Sequence, residues 1–259
     1  MSSPVSPTSS LPAAGPWAQL RRLWRVLRVV VHLAWGFLLA LLLGAFWSPY
    51  RPVVLAAKQR WCQGFLRIIG VQLTVQGQPC AAPALLVSNH VSWLDIPVIA
   101  SCRHLYFLSK AEVGDWPLIG MLARAVGTLF IKRGSGESGR KAEEIAARLR
   151  QGHTVLVFPE GTTTDGSGPR RFFAQLFAAA PLAAVPVQPL AIRYLDDSGQ
   201  PDRGLAFIGD DEFHTHLWQM LLRERIAVRL IFTPPLPLAV QDTRALGEQA
   251  RRQVLAALS

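Results

Sequence analysis

The stretch ALLVSNHVSWLD, residues 84–95, decides the fold, because it contains a strand, a turn and the start of a helix. Ala84–Ser88 is a short apolar run of the kind that forms a strand buried on both faces. Ser92 is a residue type that caps helices at their N-terminus, and a helix is predicted over Trp93–Ala100. His90 then lies in the turn at the carboxyl end of the strand, which is where α/β sheets bind their ligands.

The same alternation of short apolar runs and helical patterns continues from residue 71 onward. The predicted strands are Val71–Val75, Ala84–Ser88, His104–Leu108, Thr128–Ile131, Thr154–Phe158, Val185–Tyr194 and Ile226–Phe232. The predicted helices are Trp93–Ala100, Pro117–Ala125, Gly139–Gln151, Arg171–Ala179, Glu212–Arg225 and Thr243–Leu258. Strands that alternate with helices predict an α/β domain over residues 71–259, with a mixed, largely parallel sheet flanked by helices.

The first 70 residues differ in composition from the rest. Residues 1–16 are rich in Ser, Pro and Ala and predict a disordered tail. Residues 17–70 predict an N-terminal membrane-associated helical anchor, since Val29–Trp47 is apolar enough and just long enough to cross a bilayer. Val53–Ile69 has the spaced cations of an interfacial amphipathic helix. Cations flank the apolar run on both sides, which favours a helix that enters and leaves on one face of the membrane; a spanning helix and a buried core helix remain alternatives.

The charge of the chain indicates a polyanionic neighbour. Lys and Arg number 27 against 17 Asp and Glu, a formal net charge of +10, which suits nucleic acid or an anionic lipid surface. The apolar segment is preceded by a cluster of four arginines, Arg21, Arg22, Arg25 and Arg28. Because these cations adjoin an apolar helix, they favour anionic membrane lipids at the cytoplasmic face, and no nucleic-acid partner is predicted.

The cysteines and histidines outside residues 84–95 predict no metal site. The three cysteines form no CxxC pair, which favours reduced thiols over a disulfide framework or a zinc site. His214 and His216 have no cysteine near them and are interpreted as a solvated surface pair.

His90 and Asp95 are the candidate catalytic pair. An imidazole accepts a proton near neutral pH, which suits the activation of a hydroxyl as a nucleophile. Two residues five apart in one helix point about 140° apart, so these side chains meet only if His90 precedes the helix and Asp95 lies in its first turns. Asp95 would then orient the imidazole and stabilise the imidazolium, as in the acid–base half of a serine protease triad. Alternatively His90 satisfies the turn and Asp95 caps the helix, and spacing alone leaves both interpretations open.

A second polar cluster, FPEGTTTDG at residues 158–166, follows the strand Thr154–Phe158. Gly161 permits a close backbone approach, and the neighbouring hydroxyl and N–H groups can grip an anion or a polyol. Glu160 at the end of the strand can bind a substrate hydroxyl. The plainer interpretation is a turn with exposed threonines.

Together these segments resemble the glycerophospholipid acyltransferase family, whose best-known members acylate lysophosphatidic acid. His90 to Asp95 match its His-x4-Asp motif, and residues 158–162 match its Phe-Pro-Glu-Gly-Thr motif. Residues 110–120, 127–133 and 185–189 are similar to its other blocks. The resemblance covers about Leu73 to Tyr194, and the order of the blocks is far more specific than any one of them.

The resemblance implies that His90 is a general base and Asp95 its partner. The substrate-binding residues that it implies are Lys110, Arg133, Glu160, Gly161 and Thr162. Of these, Arg133 would pair with a phosphate, which the guanidinium geometry favours. The implied reaction is attack by a lysolipid hydroxyl on the thioester of acyl-CoA or acyl carrier protein, with no metal and no prosthetic group, at the cytoplasmic face of a membrane (the inner membrane in a bacterium).

One departure from the family pattern concerns the acceptor. Thr163 stands where relatives specific for lysophosphatidate usually have an arginine, although Arg170 and Arg171 lie close enough in sequence to compensate. The implied acceptor is 1-acyl-sn-glycerol 3-phosphate, whose acylation gives phosphatidic acid. The alternative is lyso-ornithine lipid or another lysolipid, because the TTTDG variant also resembles members of the family that acylate those.

Two function hypotheses of other classes remain open at this point. Residues 134–139, GSGESG, read as G-x-G-x-x-G between a predicted strand and a predicted helix, with Glu160 ending the next strand, as in an NAD(P)-binding oxidoreductase. Binding of NAD(P)H would support that hypothesis. A membrane-binding scaffold without catalysis is the other, and it predicts no thiol release from acyl-CoA with any lysolipid.

Overall fold

The structure is a computed structural model and describes residues 15–81, 83–116, 119–131, 138–209, 211–237 and 242–259. Its helices are α1 (Pro16–Leu42), α2 (Pro52–Ile69), α3 (Asp95–Cys102), α4 (Ile119–Ala125), α5 (Ser138–Arg150), α6 (Ala179–Ala183), α7 (Phe213–Met220) and α8 (Thr243–Leu258). Its strands are β1 (Val71–Gln76), β2 (Leu85–Ser88), β3 (Tyr106–Lys110), β4 (Leu129–Ile131), β5 (Val155–Val157), β6 (Val187–Leu195) and β7 (Ile226–Phe232). The predicted tail falls outside the described residues up to residue 14, and α1 begins at Pro16.

The strands form one sheet in the order β1-β7-β6-β2-β5-β3-β4. Every neighbouring pair is parallel except β6 and β7, which are antiparallel. The predicted mixed, largely parallel sheet with flanking helices is therefore confirmed. β2 and β5 are short and apolar because helices cover both faces of the sheet at its centre, so that neither face meets water.

The register at the centre of the sheet explains why the two sequence motifs meet. β2 lies between β5 and β6 and is parallel to both, with Val87 opposite Val157 and Ser88 opposite Leu190. His90 and Glu160 each come three residues after a paired position, so they leave the sheet side by side. Parallel strands end at the same edge, and the two motifs share the carboxyl edge of this sheet.

Helices α1 and α2 form a hairpin that is held by polar contacts as well as by apolar packing. The Trp61 indole donates to the backbone oxygen of His32 at 3.0 Å, and His32 Nε2 lies 2.9 Å from the backbone oxygen of Trp61. A Cβ at Gly36 would lie only 2.4 Å from the Trp61 indole nitrogen, so that only glycine allows this crossing. The hairpin therefore has one defined geometry.

The outer face of α1 is apolar and uncovered. Large apolar side chains that are roughly half exposed or more recur along it at helical spacing: Trp17, Leu20, Trp24, Leu27, Val31, Trp35 and Leu42. An exposed apolar surface of this length is typical of a protein or lipid contact site. The interpretation of this segment as a buried core helix is therefore wrong, because burial is confined to the opposite face of α1.

The structure corrects the prediction that the whole arginine cluster of α1 faces anionic lipids. Arg25 is buried and donates to the backbone oxygens of Arg223 and Glu224, the latter at 3.0 Å. Arg21 donates to the Leu222 oxygen at 2.7 Å, whereas Arg28 is exposed. The cluster therefore does not face lipid headgroups as a whole, because part of it joins α1 to the turn between α7 and β7.

Three helix boundaries differ from prediction for identifiable reasons. The apolar helix predicted over Val29–Trp47 ends at Leu42, before Gly44 with its positive φ of 65°. The helix predicted to reach Arg225 ends at Met220, where the following carbonyls turn toward the arginines of α1. The segment predicted as a helix over Arg171–Ala179 begins in extended form, because its backbone bonds to the segment after β5, and it continues as a 3-10 helix over Ala174–Ala178.

Candidate active site

The structure brings His90 and Asp95 together in the arrangement that the spacing required. His90 lies in the turn after β2, Asp95 is the first residue of α3, and Nδ1 of His90 lies 2.8 Å from Oδ2 of Asp95. The Asp95 side chain is completely buried, while 17% of the His90 side chain is exposed. Ser92 does not cap the helix as predicted: its hydroxyl has no hydrogen-bond partner among the described residues, and its backbone N–H binds Asp95 instead.

Four hydrogen-bond donors converge on the Asp95 carboxylate. Besides His90, Oδ2 accepts from the backbone N–H groups of Val91 at 2.8 Å and Ser92 at 3.1 Å, and Oδ1 accepts from the Tyr194 hydroxyl at 2.6 Å. An ionised carboxylate only accepts hydrogen bonds, so the His90 Nδ1 carries the hydrogen of that contact. In a neutral imidazole this tautomer leaves Nε2 without a hydrogen, so that Nε2 can accept a proton.

Tyr194 and Asn89 are two residues of the site whose roles the sequence did not indicate. Tyr194 is buried near the end of β6, and burial raises the pKa of its hydroxyl well above the usual value, so that it remains a donor to Asp95. The Asn89 side chain donates to the backbone oxygen of Ile192 and accepts from its N–H, each at 2.9 Å, which extends the pairing of β2 with β6. Only the strand order, which no local pattern reveals, places β6 beside β2.

Glu160 supports His90 directly. Its Oε1 accepts from the backbone N–H of His90 at 2.8 Å and its Oε2 accepts from the backbone N–H of Arg170 at 2.7 Å. Only 3% of Glu160 is exposed, and this burial raises the pKa of its carboxyl although both hydrogen bonds lower it. Glu160 thus joins the turn of His90 to the segment at Arg170, while its predicted contact with substrate stays a prediction.

The remaining contacts fix the His90 ring and backbone. The backbone oxygen of His90 accepts from the N–H of Thr164 at 2.8 Å and from its hydroxyl at 3.1 Å. The His90 ring stacks on Phe158 with 3.9 Å between ring centroids and 12° between planes. Within the described part of the chain, every hydrogen-bonding atom of His90 has a partner except Nε2.

The other predicted substrate-binding residues are only partly placed. Gly161 has a φ of 69°, a conformation that favours glycine, and forms the tight turn after Phe158. Gly161 and Thr162 line the same cavity as His90. Lys110 ends β3, with its side chain outside the described part of the structure, and Arg133 lies outside the described residues altogether.

A cavity of about 1380 Å³ begins at these residues and extends between the sheet and the helical hairpin. Its polar part contains His90 and Glu160. Its apolar part is lined by side chains of both hairpin helices and of β3, among them Val29, Leu33, Trp61, Phe65 and Phe107. The cavity can therefore accommodate a long apolar chain whose reactive end lies at His90.

One further interpretation from the sequence needs correction. His216 is not on the surface: it is buried and accepts the Trp93 indole N–H at its Nδ1 at 3.1 Å, because α7 packs against the turn of the His-x4-Asp motif. Burial lowers the pKa of His216. Of the candidate dinucleotide motif, residues 134–137 lie outside the described residues, and Glu160, the acid proposed for a ribose, accepts hydrogen bonds from two backbone N–H groups.

Comparison with known proteins agrees with this geometry. Residues 72–193 match the protein-family model described as Acyltransferase. The chain is 41% identical over 248 residues to the lyso-ornithine lipid O-acyltransferase of Pseudomonas aeruginosa, covering 93% of this chain and 95% of that protein. It is 29% identical over 202 residues to the 1-acyl-sn-glycerol-3-phosphate acyltransferase of Neisseria meningitidis, covering 76% of this chain and 78% of that protein.

The fold has a counterpart among solved structures. The 1-acyl-sn-glycerophosphate acyltransferase of Thermotoga maritima superposes with a TM-score of 0.66 at 20% identity, over 93% of this chain and 96% of that one. At 20% identity the match concerns the fold alone. Because the match covers 93% of this chain, it includes the helical hairpin as well as the sheet. The match to the family model and the extent of the similarity to the Pseudomonas protein show the family. They also select an acyltransferase over the two other hypotheses, the oxidoreductase and the scaffold without catalysis. This chain belongs to the acyltransferase family.

Proposed function

We propose that the protein is a membrane-associated O-acyltransferase that moves a fatty acyl group from an acyl thioester to the hydroxyl of a lysolipid. The observation that carries this proposal is the oriented His90–Asp95 pair, because His90 also lines a long apolar cavity. A general base beside a cavity for a hydrocarbon chain suits a lipid hydroxyl as nucleophile. No nucleophile from the protein is needed, because the acceptor supplies the attacking oxygen.

The proposed reaction assigns one task to each residue of the pair. His90 Nε2 removes the hydroxyl proton of the acceptor as its oxygen attacks the thioester carbonyl carbon. The tetrahedral intermediate collapses with cleavage of the C–S bond, and the imidazolium returns the proton to the departing thiolate, so that the products are an ester and a free thiol. Asp95 stays ionised and stabilises the imidazolium, as the carboxylate of a catalytic triad does.

The favoured acceptor is lyso-ornithine lipid. The similarity to the Pseudomonas protein of that name covers nearly the whole of both chains, and Thr163 replaces the arginine expected of a lysophosphatidate enzyme. The Thr163 hydroxyl donates to the Phe207 backbone oxygen, so this position has a structural contact in place of a cation. 1-Acyl-sn-glycerol 3-phosphate is the second candidate, supported by the Neisseria relative.

The membrane is the proposed location because of the uncovered face of α1. Its apolar side chains are presented outward along the length of the helix, while the opposite face packs on α2 and lines the cavity. A face of this kind lies favourably in the acyl and headgroup region of one leaflet. An anionic leaflet at the cytoplasmic side, where acyl-CoA and acyl carrier protein are available as donors, also suits the net positive charge.

The test is an acceptor screen with the full chain in detergent micelles. Labelled palmitoyl-CoA and palmitoyl carrier protein are each offered with lyso-ornithine lipid, lysophosphatidate, lysophosphatidylethanolamine and lysophosphatidylglycerol, and products are separated by thin-layer chromatography. The proposal expects transfer to lyso-ornithine lipid above all others, and His90→Ala should reduce it about 10²- to 10⁴-fold.

His214→Ala is the matched control for this variant. His214 has a side chain that is 79% exposed, and it should keep full activity. Absence of transfer to every lysolipid by the wild-type protein, or near-normal turnover by His90→Ala, would contradict the proposal.

A further inference from the structure

Three aromatic rings form a cluster in the wall of the cavity. Trp93 belongs to the turn that joins His90 to Asp95, Trp116 lies shortly after β3, and Phe213 begins α7. The ring centroids of Trp93 and Phe213 are 4.9 Å apart, and those of Trp116 and Phe213 are 5.7 Å apart. All three side chains line the cavity that contains His90, and none of them is fully buried. Three residues span at most about 11 Å of chain, so Trp93 places the cluster at the end of the cavity where the reaction is proposed.

A buried histidine holds the Trp93 ring in place. The Trp93 indole N–H donates to Nδ1 of His216 at 3.1 Å, and Nε2 of His216 lies 3.1 Å from the Ala206 backbone oxygen. Nδ1 accepts this hydrogen bond only in the neutral tautomer that carries its hydrogen on Nε2. Burial favours the neutral form, because it lowers the pKa of His216. The Trp93 ring is therefore fixed before a ligand arrives, which reduces the entropy cost of binding.

The faces of these three rings carry no cation from the part of the chain that the structure describes. The cation–π pairs of that part use other rings, such as Trp218, over which the Arg22 guanidinium lies at 3.8 Å. Aromatic faces are electrically negative and attract ammonium groups, and the indole of tryptophan attracts them most strongly. The cluster is thus available to a cation that a ligand brings.

The same cavity has a carboxylate near Trp116. Glu112 lies in the 3-10 helix Ala111–Asp115, and the Trp116 N–H donates to the Val113 oxygen at 3.3 Å, so that Trp116 continues this helix. A 3-10 helix rises about 2 Å per residue, which places the two backbones about 8 Å apart along its axis. Both side chains are exposed and line the cavity. Glu112 makes no hydrogen bond or ion pair within the described ranges, so its carboxylate is available to a cationic ligand.

We propose that Trp93, Trp116 and Phe213 form a subsite for the primary ammonium group of the acceptor headgroup, with Glu112 as its counter-ion. This inference rests on the proposed function and names residues that select its acceptor. Ornithine has two amino groups, of which one is acylated in lyso-ornithine lipid and the other is a primary ammonium. Lysophosphatidate has no ammonium group, so the subsite favours the ornithine lipid over it. Lysophosphatidylethanolamine also carries an ammonium group, and the experiment distinguishes these two sources.

The test compares the wild type with Trp116→Leu in micelles of a neutral detergent. The acceptors are lyso-ornithine lipid and the same lipid with its free amine acetylated, which removes the positive charge and keeps the carboxylate and the hydroxyl. We expect Trp116→Leu to raise the KM for the free amine about 2- to 30-fold, with kcat and the KM for the acetylated lipid nearly unchanged. Glu112→Gln should act in the same direction. Trp116→Phe keeps a ring at this position and should restore most of the affinity.

Trp218→Leu and Glu143→Gln are the matched controls. Trp218 is 42% exposed and Glu143 is 58% exposed, and neither lines the cavity, so both variants should keep the wild-type KM for both lipids. Trp116 is itself 36% exposed, so that its substitution leaves the buried core intact. Equal rises for the free amine and the acetylated lipid in Trp116→Leu would overturn the subsite, as would an unchanged KM for both.

The subsite and the proposed function fail in different ways. If the wild type acylates lysophosphatidylethanolamine instead, that lipid and its N-acetyl form are compared with the same expectation. A wild type that acylates lysophosphatidate alone keeps the transferase reaction and overturns the subsite. If no lysolipid is acylated, the proposed function fails, and equilibrium binding of labelled lyso-ornithine lipid replaces the KM. The subsite then stands if Trp116→Leu weakens binding of the free amine alone, and it falls if both lipids are weakened equally or neither is.

Discussion

The Tyr194 hydroxyl donates to Oδ1 of Asp95 at 2.6 Å, and both side chains are buried. This bond occupies the oxygen of Asp95 that does not face His90. Together with the two backbone N–H groups on Oδ2, it holds the carboxylate in the one orientation that meets the imidazole. Tyr194 is therefore a positioning residue that acts through Asp95.

Tyr194→Phe should lower both stability and activity. The substitution leaves one oxygen of a buried carboxylate without a partner, at a cost of about 1–3 kcal/mol in the free energy of unfolding. Since the backbone bonds to Oδ2 remain, we expect kcat to fall only about tenfold, which corresponds to about 1.4 kcal/mol. Urea unfolding in detergent and initial rates with the favoured acceptor measure the two effects.

Tyr106→Phe is a closely matched control for this prediction. The Tyr106 hydroxyl is also buried but has no hydrogen-bond partner among the described residues. Its removal should therefore leave kcat unchanged and stability equal or slightly higher. Equal effects of the two substitutions would show that the Tyr194 contact contributes nothing specific.

Asp95→Asn should nearly abolish turnover. An amide in place of the carboxylate cannot accept from all four donors, and it favours the tautomer in which Nε2 of His90 carries the hydrogen and cannot accept a proton. Loss of the corresponding aspartate in a serine protease costs on the order of 10⁴-fold in kcat, and we expect a fall of about 10³-fold or more here. Single-turnover measurements at saturating acceptor separate this from binding.

Asp197→Asn provides the comparison for Asp95→Asn. Asp197 is 86% exposed and pairs with Arg225 at the surface, so its substitution should change kcat by less than a factor of about two. An Asp95→Asn enzyme with a rate close to that of Asp197→Asn would remove the carboxylate from the mechanism.

Much of the fold could be predicted because each strand and helix has its own local pattern. All seven predicted strands occur within two residues of their predicted ends, and the spacing of His90 and Asp95 required the contact that the structure contains. The spacing argument worked because it depends only on helix geometry and on where the helix begins. Those are local properties of the chain.

The rest depends on contacts between segments that are distant in sequence. Tyr194 reaches Asp95 only because β6 lies beside β2, and β6 pairs with β7 in the antiparallel sense, which no pattern within either strand indicates. Similarly, the segment after Arg170 has helical composition, yet Pro159 and Glu160 draw its N–H groups into tertiary hydrogen bonds. In both cases tertiary structure overrides a local preference.

Arg25→Gln should loosen the attachment of α1. The buried guanidinium donates to backbone oxygens of Arg223 and Glu224, and a hydrogen bond from a charged donor is worth about 1.5–3 kcal/mol. We expect the free energy of unfolding in detergent to fall by about 2 kcal/mol or more. Arg28→Gln on the exposed side of the same helix should change it by less than about 0.5 kcal/mol; equal stabilities of the two variants would contradict this role of Arg25.

Glu160→Gln should alter how stability depends on pH. Burial raises the pKa of the Glu160 carboxyl in the folded protein above the ordinary glutamate value of about 4.3. Between that value and the raised pKa the folded state binds more protons than the unfolded state, so Glu160 makes the free energy of unfolding fall as pH rises through this interval. Glutamine does not titrate, and its variant should lack this contribution.

The measurement is urea unfolding of the wild type and Glu160→Gln at a series of pH values from about 4 upward. The stability of the wild type minus that of the variant should decrease as pH rises and then level off. Glu248→Gln is the control for the chemical change itself, because it makes the same substitution at an exposed position of α8. A pH-independent difference between the wild type and Glu160→Gln would mean that folding leaves the Glu160 carboxyl as acidic as it is in the unfolded chain, and that its two backbone hydrogen bonds offset the whole cost of its burial.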